Sequence, residues 1–406
     1  MRIVIAPDKF KGSLEATEVV DHLAAGIRAV DPTAEVVPLP VADGGEGTLE
    51  AAVGAGFTSF PATVTGPVGE PVTAGFALRD RTAVVEMALA SGLTALPVDE
   101  HGEPVLDAAG ATSRGTGELV RAALDAGATC VVLGVGGSAC TDGGAGLLVG
   151  LGARLLDETG RELGRGGAEL ARLARVDLTG LEPRVREAEF VLAADVDNPL
   201  VGPRGAAAVF GPQKGASLEL VAELDAALAV FRDQLAEALG PAALEAAEAP
   251  GAGAAGGVGF AALAVLGAHR RPGIDVVLEF VGLAAQVAGA DLVVTGEGSL
   301  DEQSLGGKTP MGVAAVARAA SVPVVAVCGR TTLEPQVLRD AGFVRTYALT
   351  DLEPDSRISM REAGRLLEQV GAQLAQDLPE LLRMKSTTDD APAGTGTGTD
   401  EQEDIR

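Results

Sequence analysis

Leu292-Val293-Val294-Thr295, a run from Met311 to Ala320, and Val324-Val325-Ala326-Val327 read in succession as strand, helix and strand. The two short runs are apolar and rich in β-branched residues, as strands buried on both faces are. Such a βαβ unit lays its two strands parallel. The N-terminus repeats the pattern. Ile3-Val4-Ile5-Ala6 is a buried strand, and Ser13 is placed to cap a helix whose stripe is Val20, Leu23, Ala24 and Ile27. Val36 to Val41 follows as a second strand, and a helix from about Thr48 stops at Gly54. Both ends of the chain therefore predict parallel α/β layering.

The middle differs. Thr63-Val64-Thr65, Val72-Thr73-Ala74-Gly75-Phe76 and Ala83-Val84-Val85-Glu86 are separated by Gly, Pro and Asp and predict an antiparallel meander. The change of composition places a domain boundary near residue 60. A helix carrying Leu119, Val120, Ala123 and Leu124 leads to a strand over Cys130–Val135, and Phe190 to Ala194 is a further strand ending at Asp195. Ala249 to Ala268 is free of charge but Gly/Ala-rich, so it reads as a glycine loop entering a buried helix rather than a membrane span. From Lys385 the sequence is Thr/Gly/Asp/Glu-rich without apolar periodicity and predicts a disordered acidic tail, 385–406.

Composition narrows the function. The 406 residues suggest roughly two to three domains. With 47% hydrophobic but only 3% aromatic residues and no Trp, the core must be built from Ala, Val and Leu. A net charge of −26 argues against nucleic acid and anionic lipid as partners. An anionic small molecule would then need local positive charge, and here the five lysines stand out against 26 arginines. Lys9, Lys11, Lys214 and Lys308 lie in short glycine-punctuated segments, where a compact ammonium suits a moving phosphate oxygen. Cys130, Cys140 and Cys328 form no C-x-x-C pair and predict reduced, mostly buried thiols. The three histidines have no metal-ligand spacing, and Met1 to Asp8 is too short an apolar run for a secretory leader. A cytoplasmic location is expected.

Two loops share one form: Asp43-Gly44-Gly45-Glu46-Gly47 and Asp142-Gly143-Gly144-Ala145-Gly146, each opening a helix. Glycines let backbone N–H groups converge on an anion, and the Asp can cap the helix or hold phosphate-bound magnesium. Gly134, Gly136 and Ala139 match G-x-G-x-x-A, but Cys140 to Gly144 intervene before the helix, so phosphate binding survives while NAD specificity does not. Gly307-Lys308-Thr309 lacks the first glycine of a P-loop, Glu302 standing there, and Pro310 follows at once. Lys308 remains a phosphate candidate ahead of a helix. Asp8, Asp43, Asp142, Asp195, Asp197, Glu297 and Asp301 lie at strand ends or glycine turns, with Asp195 and Glu297 best placed, because ligands of open α/β sheets bind beyond the strands' carboxyl ends. Acidic groups, lysines and glycine nests together fit phosphoryl transfer.

These segments, with Ala6-Pro7-Asp8-Lys9-Phe10-Lys11-Gly12-Ser13, Gly115-Thr116-Gly117-Glu118-Leu119, Asp195-Val196-Asp197-Asn198-Pro199-Leu200 and Phe210-Gly211-Pro212-Gln213-Lys214-Gly215-Ala216, run in order to about residue 380. In this order the chain resembles the bacterial type-1 glycerate kinases. The resemblance implies ATP-dependent phosphorylation of D-glycerate with Mg2+, to 2-phosphoglycerate, by a monomer or homodimer. It also implies two α/β domains, one flavodoxin-like and discontinuous (1–60 and 276–384), the other a mixed-sheet domain inserted within it (61–275). At the matching positions we expect Lys9 and Lys11 to neutralise the transferred phosphoryl group or the glycerate carboxylate, and Asp195 to accept the hydroxyl proton. Gly136, Gly137, Ser138, Gly143, Gly144 and Lys308 would bind phosphates, Asp8, Ser13, Asp43, Gly44, Gly45 and Glu46 the substrate, and Asp142 and Glu297 magnesium. The alternatives are 3-phosphoglycerate as product, an NAD-linked dehydrogenase, and a non-catalytic acid-binding protein.

Overall fold

The computed structural model describes residues 1–388, with side chains through Arg383. In chain order the strands are β1 (Arg2–Pro7), β2 (Glu35–Pro38), β3 (Thr58–Thr65), β4 (Pro71–Arg79), β5 (Thr82–Glu86), β6 (Cys130–Gly134), β7 (Arg154–Leu156), β8 (Arg175–Asp177), β9 (Glu189–Ala193), β10 (His269–Arg271), β11 (Leu292–Leu300), β12 (Val324–Thr331) and β13 (Phe343–Ala348). β7 and β8 form a small separate antiparallel pair.

Five strands from the two ends of the chain make one parallel sheet in the order β13-β12-β11-β1-β2. Counted within that sheet, the order is the flavodoxin-like 2-1-3-4-5, with its switch point between β1 and β11. Alternation along β1 explains why both faces are covered. Ile3 and Ile5 join a core with Val19, Leu23 and Ile27 of the helix Ala16–Val30 and Leu367 and Leu374 of the helix Ala363–Thr388. Val4 and Ala6 face the opposite core, with Val277 of the helix Gly273–Phe280 and Val313 of Thr309–Ala319. Glycine is required where the first pair of helices touches: a Cβ on Gly26 would lie 2.0 Å from the Glu368 carbonyl oxygen.

The remaining six strands form a mixed sheet, β10-β9-β6-β5-β4-β3, in which β3, β4 and β5 are the antiparallel meander and the rest is parallel. The chain passes to this sheet at Thr58 and returns with the helix that starts at Gly273. The two sheets share apolar packing. Ala77, Val84, Val132 and Val191 of the mixed sheet belong to the same buried cluster as Ala51, Ala52, Ile274 and Val277 from the helices beneath the parallel sheet.

Local details differ from the sequence reading. β2 ends at Pro38 rather than Val41, although Leu39 and Val41 still donate to the carbonyls of Ile5 and Pro7; Pro38 and Pro40 have no N–H to continue the ladder. Ser13 does not cap the first helix. Glu15 takes that position, its amide held by Glu18, and the Ser13 hydroxyl instead donates to the Met360 carbonyl at 2.7 Å. The last helix runs through Thr388, and the rest of the expected tail, 389–406, lies outside the described residues. No helix among the described residues is long and apolar enough to cross a membrane.

Candidate active site

β1 ends at the switch point with Pro7 beside Gly296, and β11 runs on to Leu300 along β12; the Asp8 amide donates to the Gly296 carbonyl at 2.8 Å. Asp8 and Glu297 therefore stand on either side of the crevice where this sheet class binds ligands. Asp8 is tied on both oxygens: its own neighbour's amide, Lys9 N, donates to Oδ1 and the Thr309 hydroxyl to Oδ2, each at 2.7 Å. Burial, reinforced by the nearby Asp43 carboxylate, raises the Asp8 pKa to about 7 despite those hydrogen bonds. Burial also raises Glu297, against the pull of Ser304 and Lys308. Its Oε1 is buried with no hydrogen-bond partner among the described residues.

Positive charge collects opposite these carboxylates, but unequally. Lys9 donates to Glu46 at 2.5 Å. Burial works against the Lys9 charge, yet the Glu46 carboxylate outweighs it and lifts the pKa. Lys11 is exposed on the rim of the cavity, and Lys308 faces it from the residue before the helix Thr309–Ala319. Neither makes an ion pair among the described residues. Arg330, at the end of β12, lines the same space with its Nε 3.3 Å from the Ser299 hydroxyl.

Two cavities adjoin here. The larger, about 630 Å³, contains Asp8, Lys9, Lys11, Ser13, Glu46, Glu297 and Lys308, with Phe10, Leu349 and Met360 as apolar wall. The smaller, about 260 Å³, contains Gly44, Ser138, Asp195, Phe210 and Gln213. Asp43, Gly45, Gly136 and Gly137 line both, so the two spaces meet at the glycine loops. Those loops pack so closely that a Cβ on Gly136 would lie 2.5 Å from the Gly45 Cα. Asp195 is held by the Gly273 amide at 2.8 Å, and desolvation in the cleft wall raises its pKa, with that hydrogen bond opposing.

Three expected site residues are not in this cleft. Asp142 is 1% exposed, and its carboxylate accepts from the amides of Ser113, Gly144 and Gly146 and the hydroxyls of Ser113 and Thr112. A carboxylate so fully occupied has no lone pair turned toward magnesium; it is a helix-end clamp. Gly143 and Gly144 are left-handed, at φ +67° and +79°, and their missing side chains make room for Phe231 and Ala261 rather than for phosphate. The sequence reading also passed over Thr309 and Arg330. Arg330 follows the predicted strand Val324–Val327 closely enough for the strand-end rule to have found it. Met360 carried no such signal, since its short helix, Ser356–Arg361, packs into place only in the fold.

A model of the glycerate kinase family matches residues 3–379. The chain belongs to the glycerate kinase family. It is 44% identical to a glycerate kinase from Bacillus subtilis over 381 residues, covering 93% of this chain and 98% of that one. It is equally identical to a glycerate 2-kinase from Escherichia coli over 352 residues, 86% and 90% of the two chains. The crystal structure of a candidate glycerate kinase 2 from Salmonella typhimurium LT2 superposes with a TM-score of 0.79 at 40% identity, covering 94% of this chain and 98% of that chain. Membership makes this an ATP-dependent kinase with glycerate as acceptor and removes the dehydrogenase and the non-catalytic binder.

Magnesium accompanies ATP in phosphoryl transfer generally. Among the described residues no three acidic, histidine or cysteine side chains form a metal cage. Magnesium does not need one, because it keeps several waters and is commonly held by one or two carboxylates plus phosphate oxygens. The unpartnered Glu297 Oε1 and the neighbouring Asp8 suit that role.

Proposed function

We propose that this glycerate kinase transfers the terminal phosphoryl group of ATP to the 2-hydroxyl of D-glycerate, releasing ADP and 2-phosphoglycerate. The observation that carries the reading is the placement of Asp8 and Glu297 across the switch point, in one cavity with Lys11 and Lys308, which make no ion pair among the described residues. Transfer at position 2 is supported by the name of the Escherichia coli relative, a glycerate 2-kinase.

The larger cavity has the volume and the mixed apolar and cationic wall for a nucleotide; the smaller suits a three-carbon acid. Lys11 and Lys308, joined by Arg330, neutralise the polyphosphate, and the Gly136-Gly137-Ser138 loop supports the transferred group between the two spaces. Asp43, Gly44 and Gly45 form the wall next to the acceptor, Glu46 orients Lys9, and Ser13 anchors the outer wall through Met360. Asp195, with one oxygen fixed by Gly273, accepts the proton as the hydroxyl oxygen bonds to the γ-phosphorus and the bond to the β–γ bridging oxygen breaks. Glu297 and Asp8 would hold magnesium, which when bound offsets negative charge on the phosphates.

The test is an assay of ADP release with D-glycerate, ATP and Mg2+, the product being passed to enolase. Direct conversion to phosphoenolpyruvate is expected. A product that enolase accepts only after a phosphoglycerate mutase is added would mean transfer to position 3.

A further inference from the structure

Lys214 is the glycine-flanked lysine left without a task by the cleft geometry. It is 1% exposed and lines neither cavity, so it does not touch substrate. Its turn is built to drive it inward. Pro212 opens one 3₁₀ turn, Pro212–Lys214, and Gly215 closes it at φ +93°, where an added Cβ would lie 2.9 Å from the Leu106 Cβ. The ammonium reaches under the cleft, donating to the Ser138 hydroxyl at 3.0 Å and to the Cys140 carbonyl.

No carboxylate lies within ion-pair distance of it among the described residues. Burial pulls its pKa down, and the charge of Asp142, equally buried, opposes that shift. An ammonium buried without a salt bridge is costly, so a packing role alone would be better served by an apolar side chain. Its two acceptors lie in one loop, and that loop carries Gly136 and Gly137 to where the cavities meet and Ser138 into the wall of the smaller one. The same turn places Gln213 in the wall of the smaller cavity.

We propose that Lys214 is a positioning residue: its ammonium fixes the Gly136-Gly137-Ser138 loop from below and sets a positive charge behind the point of phosphoryl transfer. Ser138 is then its relay, its hydroxyl held in one orientation by Lys214. The assignment of glycerate to the smaller cavity, on which the identity of the affected substrate rests, is that of the proposed function.

The experiment is steady-state kinetics on Lys214→Met, Ser138→Ala and the double variant, varying ATP and glycerate separately and recording each thermal midpoint. Methionine keeps the apolar stem and removes only the donor. We expect Lys214→Met to fold and to lose about a hundredfold in kcat/KM, the scale on which a small misplacement of a catalytic loop is felt. Ser138→Ala should add far less in the Lys214→Met background than in the parent, because the two act through one contact. A lowered melting temperature with kcat/KM within twofold of the parent would make Lys214 merely structural and overturn the proposal, as would fully additive losses. Should Lys214→Met fail to fold, Lys214→Gln takes its place: a loss of tenfold or more to which Ser138→Ala adds little supports the relay, and a smaller or fully additive loss overturns it. If the loss falls on ATP rather than on glycerate, Lys214 keeps its role and the cavity assignment fails instead.

Discussion

Lys9 and Lys11 stand two positions apart in one motif yet meet different surroundings. The Lys9 ammonium is matched by Glu46, whereas Lys11 lies exposed on the cavity rim with no ion pair among the described residues. Lys11→Ala should therefore reduce kcat/KM by about a hundredfold or more, the usual cost of removing a preorganised charge from a transition state. Lys9→Ala should cost less, and its loss should be shared by Glu46→Gln; equal, independent losses in steady-state assays would contradict that ranking. Asp8 gives the pH dependence. Its pKa is raised to about 7, so the folded protein binds a proton there that the unfolded chain releases near 3.8. The sign follows from linkage: between those values stability contributed at Asp8 falls as pH rises, and above about 7 it is lost. Activity moves the opposite way, because the ionised form is the one that can attract a metal–phosphate complex. The acidic limb of kcat/KM should lie near neutrality and shift to lower pH as Mg2+ is raised, since metal and proton compete for the carboxylate. A limb indifferent to Mg2+ would remove Asp8 from that role.

At the scale of elements, Asp142 joins the start of the helix Arg114–Asp125 to the start of Ala145–Gly150, through Ser113 on one side and Gly144 and Gly146 on the other. Asp142→Ala leaves several buried donors unpaired and should cost about 3 kcal/mol or more. A calorimetric scan should register that loss while the Mg2+ requirement of the remaining folded enzyme stays unchanged. The twin loops Asp43-Gly44-Gly45 and Asp142-Gly143-Gly144 looked equivalent in sequence because each puts Asp and two glycines before a helix. What separates them is invisible at that level: one loop abuts open cleft, the other is covered by Phe231 and Ala261, which lie far along the chain. The strands were legible for the opposite reason. Ile3–Ala6, Leu292–Thr295 and Val324–Val327 are buried on both faces, so the local apolar run and the tertiary position agree. Ser13 misled because a hydroxyl before a helix is as ready to bond a distant carbonyl, here that of Met360, as its own helix end.

For the whole molecule, the strands leave the parallel sheet at Thr58 and the chain returns with the helix from Gly273; composition marked the change near residue 60, whereas the return was expected from the resemblance and the late βαβ unit. The pairing of the two sheets cannot be read from composition. The helices Thr48–Gly54 and Gly273–Phe280 lie in an apolar layer that also takes Val84, Val132 and Val191 from the mixed sheet. A large apolar contact of this kind restrains relative domain motion. The switch-point carboxylates Asp8 and Glu297 line one cavity with Gly136 and Gly137 of the glycine loop. That arrangement makes Glu297 the most exacting position, since its unpartnered oxygen comes from one sheet while the loop it faces comes from the other. The decisive measurement is the Mg2+ dependence of glycerate phosphorylation by Glu297→Gln beside the parent. We predict a kcat lower by about a hundredfold and a clearly higher Mg2+ concentration for half-activation, with the thermal midpoint little changed. A variant with the parent's Mg2+ requirement and a kcat within twofold would contradict it.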